Sequence, residues 1–278
     1  MPQLTQASPR ITVRLFKTIS RNTVDGKAAA SVRYSTKDDY VDLTPFLGEG
    51  SSVRTSKSVR EPAGAFSIVL ADKPYQSIVS LGAWLGNSEL ESISGLVEPM
   101  DLVEIRMWGG VGPAPHAREL PIIMRGFVSS ISRSETMSDD GRPQRTVTIT
   151  GHDFGKIWQM YQILYLSAYA EGAALLTTFG LFELFGITAQ NAMPAAEFIK
   201  QIVEKVINPY LDKMLPDTWD GVPRMIQTGK SISVKHGVIG AGAQQQQGTL
   251  YDIMKRYGDV GIWNELYTED REDGVHCV

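Results

Sequence analysis

The chain has 278 residues, 42 % apolar and 21 % charged, with nine Phe, ten Tyr and five Trp, a composition that excludes a wholly disordered protein. Its 27 basic and 31 acidic residues leave a formal net charge of −4. Neither sign forms a long block, which excludes a surface built to grip nucleic-acid phosphates. The single cysteine, Cys277, excludes an internal disulfide and fits a reducing compartment or a particle assembled in one.

The length gives room for one large domain or two ordinary ones at ~100–200 residues each. Residues 1–6 hold no basic stretch followed by an apolar run, so no secretory signal is expected. The first 150 residues then read as β. Ile11, Val13 and Leu15 alternate with Thr12 and Arg14, Phe66, Ile68 and Leu70 with Ser67, and Val103, Ile105 and Met107 with Glu104 and Arg106. Each run predicts a half-buried strand. One helix is expected to interrupt them, opened by Pro74, striped by Ile78, Leu81 and Leu85 with Trp84 beside it, and ended at Gly86 and Asn87.

Two alternating runs, Gly126 to Glu135 and Arg145 to Phe154, flank a turn at Asp139, Asp140 and Gly141, the pattern of a long β-hairpin. In the second run Val147 and Ile149 face one way and Thr146, Thr148 and Thr150 the other, so the threonine row should be wet or face another subunit. Several strands joined by Gly- and Pro-bearing turns, such as Gly109 to Pro115, suggest a small barrel or sandwich.

From Asp153 the period changes from two to 3.6. Asp153 is read as an N-cap for a helix striped by Phe154, Ile157, Trp158, Tyr161, Leu164 and Tyr165. The most apolar stretch, 173–187, is shorter than the ~20 residues a membrane span needs and carries Gly180 and Glu183. Its Phe179, Leu181, Phe182, Leu184 and Phe185 would surround any helix, so they are candidates for a subunit interface or for ordinary core.

A second helix is expected from Pro194, with Phe198, Ile199, Ile202, Val203, Val206 and Ile207 on one stripe, stopped by Asn208 and Pro209 before a short helix through Tyr210, Leu211 and Met214. Burial could return ~1.5–3 kcal/mol per stripe residue, against ~1–2 kcal/mol for each backbone residue fixed. That helix must therefore lie against the barrel or a neighbouring chain. Ser231 to Lys235 reads as β, 239–248 as a mobile low-complexity loop, and Thr249 as the cap of a helix striped by Leu250, Ile253, Met254 and Tyr257 and stopped at Gly258. Two strand-like runs, Ile262 to Tyr267 and Gly274 to Val278, surround an acidic turn at Glu269 to Gly274. The chain stops within the last run, which points to a longer polypeptide or to a strand paired with another subunit.

Little of this predicts a reaction. His116, His152, His236 and His276 stand at no metal-ligand spacing. His152 and Asp153 are read as a capped helix start rather than a dyad, and adjacent His276 and Cys277 would point to opposite strand faces. The Glu269 to Asp273 carboxylates lack a calcium-loop pattern and are read as a solvated turn. No nucleophile elbow, phosphate loop, zinc-protease or dinucleotide motif occurs. We expect no enzyme, no cofactor and no metal.

Four segments together, Glu61 to Leu70, Asp101 to Trp108, Met124 to Ile131 and Arg145 to Trp158, with Glu269 to Val275, resemble the baseplate hub proteins of contractile-tailed phages and related injection systems, the late-control tail protein group. The resemblance implies an α+β chain: a barrel- or sandwich-like tube domain in residues 1–152, a helical insertion in 153–218, and part of a second tube-like domain in 219–278. Too few strands follow Trp219 to complete that second domain. It further implies a structural protein of the virion tail baseplate, assembled in the host cytoplasm. Its homotrimer would adapt a sixfold tail tube above to a threefold spike below, contact other baseplate proteins, and leave a channel through which DNA passes. The alternatives are a hexameric tube-initiator or distal tail protein, and a tail-associated peptidoglycan hydrolase.

Overall fold

The computed structural model describes residues 10–16, 23–24, 27–28, 40–48, 50–58, 60–72, 93–110, 115–116, 119–137, 141, 143–163, 193–214, 218–219, 222–229, 238–239, 248–258, 260 and 264–278. Its main element is one antiparallel sheet of seven strands: β1 (Arg10–Phe16), β2 (Val41–Asp42), β3 (Ser52–Ser56), β4 (Ala65–Ala71), β5 (Leu102–Trp108), β6 (Ile122–Met137) and β7 (Pro143–Asp153). The spatial order is β2-β1-β5-β6-β7-β4-β3. The sheet curls into a half-barrel, and among the described strands β2 and β3 are its edges. The expected barrel is thus a β-rich layer with few helices around it. The helix expected at Pro74 and the strand expected at Ser231 lie outside the described residues, as do 240–247 of the expected loop.

The inner face is apolar for the reason the alternation gave. Val13 stands opposite Ile105, Ile105 opposite Met124, Ile149 opposite Ile68, and Val147 opposite Leu70. With Phe66, Val103, Val128, Leu43, Phe46 and the short helix α1 (Ile93–Leu96) they make one buried cluster.

The long hairpin of β6 and β7 forms as expected, in register from Gly126 opposite Asp153 to Met137 opposite Pro143, with one bulge between Val128 and Ser130. Gly141 takes a positive φ of 76° in its turn, a conformation L side chains disfavour.

Helix α2 (Gly155–Met160) follows β7 and is half the predicted length. Its backbone cap is Phe154, while Asp153 stays in the strand and its Oδ1 accepts the Gly155 N–H at 3.0 Å. The chain leaves the helix at Tyr161, whose carbonyl accepts the Leu250 N–H at 3.0 Å, and Gln162–Ile163 then pairs with Gly248–Thr249. Pairing with a distant strand has overridden the local helical period; Leu164 and Tyr165 are not described.

Helix α3 (Ala195–Ile202) buries Phe198, Ile199 and Ile202 as its stripe predicts. The expected stop at Asn208 and Pro209 does not occur. A π-helical turn, Val203–Ile207, carries the chain into α4 (Asn208–Met214) with Asn208 at helical φ −61° and ψ −42°. The wider turn accommodates a proline that has no N–H to donate. The Asn208 side chain bonds both backbone groups of Ile226, at 3.0 Å each.

Helix α5 (Leu250–Tyr257) starts as predicted, with a capping box in which Thr249 and Asp252 satisfy each other's backbone amides, and it ends at Gly258. The closing hairpin differs from expectation. Its strands are β8 (Thr268–Arg271) and β9 (Gly274–Cys277), so most of the acidic run is strand and the turn shrinks to Glu272 and Asp273 before Gly274 at φ 140°. These helices and the hairpin share a second core with Phe16, Leu102, Phe127, Phe154 and Trp158.

Candidate functional site

The outer face of the sheet is divided, and the division follows from where the second core lands. At its covered end, β1, β5 and the first half of β6 present Arg14, Glu104, Arg106 and Arg125, where the sequence predicted a solvated face. Arg14, Glu104, Arg106 and Arg125 are all buried. The C-terminal hairpin packs on β6 and meets Arg106 and Arg125, closing over positions that period-two alternation assigns to water, while Arg14 lies over the Tyr40 ring.

Burial of charges is tolerable where opposite charges answer one another. Arg14 stands opposite Glu104 and Glu104 opposite Arg125 in the strand register. The Glu104 carboxylate accepts from Arg106 Nε at 2.6 Å, Arg125 Nε at 2.9 Å and Arg14 Nη1 at 3.3 Å. Burial pushes its carboxyl up, but the bonds and charges of Arg106 and Arg125 outweigh that and hold it below the usual range. The same arginines hold the hairpin: Arg125 Nη1 donates to the Arg271 carbonyl at 2.6 Å, and Arg106 Nη2 meets Glu272 at 3.1 Å. Arg14 also lies 4.6 Å from the Tyr40 ring centroid.

A second clasp lies alongside. Lys57 Nζ donates to Asp270 Oδ2 at 2.6 Å and lies 3.4 Å from Asp153 Oδ2, which also accepts from Thr268 Oγ1 at 3.3 Å. Both carboxylates are almost wholly enclosed. Burial holds the Asp270 carboxyl above its ordinary range against the pull of Lys57, and the Asp153 charge adds to the rise. Within the acidic run Asp270 is therefore enclosed, while Glu272 and Asp273 at the turn stay exposed as expected. Among the described residues no three His, Cys, Asp or Glu side chains group as a metal site.

The other end of the outer face is open. Ser130, Ser132 and Ser134 of β6 pair with Thr150, Thr148 and Thr146 of β7, which pair in turn with Ser67, Val69 and Ala71 of β4. The β6 serines are exposed and the threonines half-buried, so the threonine row is partly wet. Ser130 and Thr150 hydroxyls meet at 2.7 Å. Beyond Val128, β6 runs on through Ser129 to Met137 with no partner on its second edge among the described strands, and Met137 is 73 % exposed.

Phe179, Leu181, Phe182, Leu184 and Phe185, the candidate interface residues, lie outside the described residues, as does the apolar stretch 173–187. Among those described, no helix is long and apolar enough to cross a membrane. His152 Nδ1 lies 3.3 Å from the Gly64 carbonyl oxygen, and His276 Nε2 lies 2.9 Å from Asp273 Oδ1. Cys277 is fully buried and its thiol is pushed up to about 12. The charge cluster has a signal in the sequence: opposite charges at the polar positions of two strands, Arg14 in β1 and Glu104 in β5.

No protein-family model matches the chain, and no curated protein matches it. One solved structure that it resembles is the tail protein from Neisseria meningitidis MC58, at a TM-score of 0.41 and 11 % identity. The match covers 97 % of this chain and 50 % of the other, so the chain spans half the length of that protein.

Proposed function

We propose that this chain is a structural hub of a phage-type contractile tail, a ring component that works by geometry and carries out no reaction of its own. Three copies would form the ring, adapting a sixfold tube to a threefold spike and leaving a channel for DNA. The observation that carries this reading is the divided sheet. One end is sealed by the chain's own hairpin, while the other offers an open hydroxyl-lined face continuous with a strand edge that, among the described strands, runs on past β5.

Such a face suits a channel wall. Ser52, Ser56, Ser67, Ser130, Ser132, Ser134, Thr146, Thr148 and Thr150 are neutral, and Arg54 is the one cation on that part of the face among the described residues. A wall without many phosphate contacts would let DNA pass without holding it. The edge of Ser129 to Met137 suits a subunit boundary, since unpaired strand groups template pairing with another chain. Of the segments that resemble hub proteins, Glu61 to Leu70, Met124 to Ile131 and Arg145 to Trp158 contribute to the strands of this surface, while Asp101 to Trp108 lies at the covered end.

Light scattering on the purified full chain tests the reading. A particle of about three chains supports the hub; about six would favour a tube-initiator or distal tail protein, and a stable monomer would count against both. Clearing of labelled cell wall by the protein, lost on replacing one carboxylate, would replace the structural reading with a hydrolase.

A further inference from the structure

Between the sheet and the C-terminal hairpin one lysine serves two carboxylates. Lys57 comes from the loop after β3, Asp153 from the end of β7 and Asp270 from the middle of β8, so the three groups join segments far apart in the chain. The formal charge of the trio is −1. Its acidic members are nearly sealed from solvent, with 1 % and 2 % of their side chains exposed. Asp153 is fully engaged: Oδ1 takes the Gly155 amide and Oδ2 takes Thr268 and Lys57. Asp270 is not. Its Oδ2 holds Lys57, whereas Oδ1 is buried with no hydrogen-bond partner.

A buried carboxylate oxygen without a donor is costly, and an uncompensated negative charge beside it more so. One added proton removes both faults, because the trio becomes neutral and the carboxyl gains a donor of its own. A cavity of about 220 Å³ lined by Lys57, Ser58, Ile123, Tyr267, Thr268, Glu269 and Asp270 adjoins the site. That is room for several waters at ~30 Å³ each, so a proton has a wet route.

We propose that Lys57, Asp153 and Asp270 form a proton-binding site that fastens the C-terminal hairpin to the sheet more tightly as pH falls. Each neighbouring charge has a definite sense. Lys57 and a hydrogen bond from the Arg125 backbone amide favour the ionised Asp270, while burial and Asp153 favour the protonated one. Glu269 is engaged by Arg271 on the same strand, and Arg106 with Glu272 lies toward the turn. Burial outweighs the pull of Lys57, so the Asp270 carboxyl lies above its ordinary value. This site is independent of the tail-hub reading.

Carbon-detected NMR of the Asp270 carboxyl across a pH titration of the full chain tests the proposal. The midpoint should lie above that of an ordinary aspartate, move further up in Lys57→Met and move down in Asp153→Asn. A midpoint at or below the ordinary value, or one that neither substitution moves, overturns it. A second measurement does not depend on the variants folding equally well. As pH falls, the urea midpoint of the wild-type protein should rise relative to that of Asp270→Asn, because the folded state then takes up a proton the variant cannot bind. A relative midpoint that stays flat or falls overturns the proposal too.

Discussion

Replacing Glu104 by Gln should cost more stability than an ordinary surface change, because three buried guanidiniums converge on this one carboxylate. Arg106, Arg125 and Arg14 approach it at 2.6, 2.9 and 3.3 Å, and none of these arginines exceeds 6 % exposure. The amide keeps one acceptor oxygen and the shape, but it puts an NH₂ against a cation and removes the one negative charge on which the three guanidiniums converge. Breaking a buried pair by removing one partner costs about 3–5 kcal/mol, and hydrogen bonds kept by the glutamine oxygen should hold the loss near the low end. Urea denaturation followed by tryptophan fluorescence would read this as a lower midpoint with an unchanged slope. The pH dependence has a fixed sign. The folded carboxyl sits below its ordinary value, so its stabilisation is complete above the unfolded pKa and is lost as pH falls through the folded one. The acid limb of the stability curve should therefore be shallower in Glu104→Gln. A variant within about 0.5 kcal/mol of the wild type at pH 7, the range of an ordinary surface change, would refute the claim that this cluster secures the sheet to its hairpin.

Three other substitutions or probes examine separate parts of the fold. Gly155→Ala should destabilise by about 3 kcal/mol in chemical denaturation, since an added Cβ would sit 1.5 Å from the Pro62 carbonyl oxygen. Thr249→Ala removes the capping hydroxyl of α5 and should cost about 1 kcal/mol, a loss visible as faster amide exchange in the first turn of that helix. Cys277, buried with its thiol pushed up to about 12, should resist a thiol reagent at pH 8 and react promptly in denaturant; rapid labelling of the native protein would contradict its place in the core.

Elements whose signals are local could be read directly. The β6 and β7 hairpin needs only alternation and an Asp-Gly turn, the cap of α5 only Thr249 and Asp252, and the buried stripe of α3 only its spacing; in each the partners lie within a few residues or one strand. Where distant chain decides, the same rules mislead. Tyr161 ends a helix that the pattern continues, because its carbonyl meets Leu250. Asn208 and Pro209 should end another, yet a π-turn carries it on while Asn208 holds Ile226.

The alternation fixed which side of β1, β5, β7 and β4 is apolar, and the composition fixed that the chain folds. Whether the polar side meets water was decided only in three dimensions, by a hairpin whose Glu272 returns to Arg106 from 166 residues away. Period two tells two faces apart, but burial of a charge depends on what is laid over it and on whether an opposite charge stands across the strand. Arg14, Glu104, Arg106 and Arg125 became core by that route, while Ser130, Thr148 and Thr150, on the same side of the same sheet, remained open.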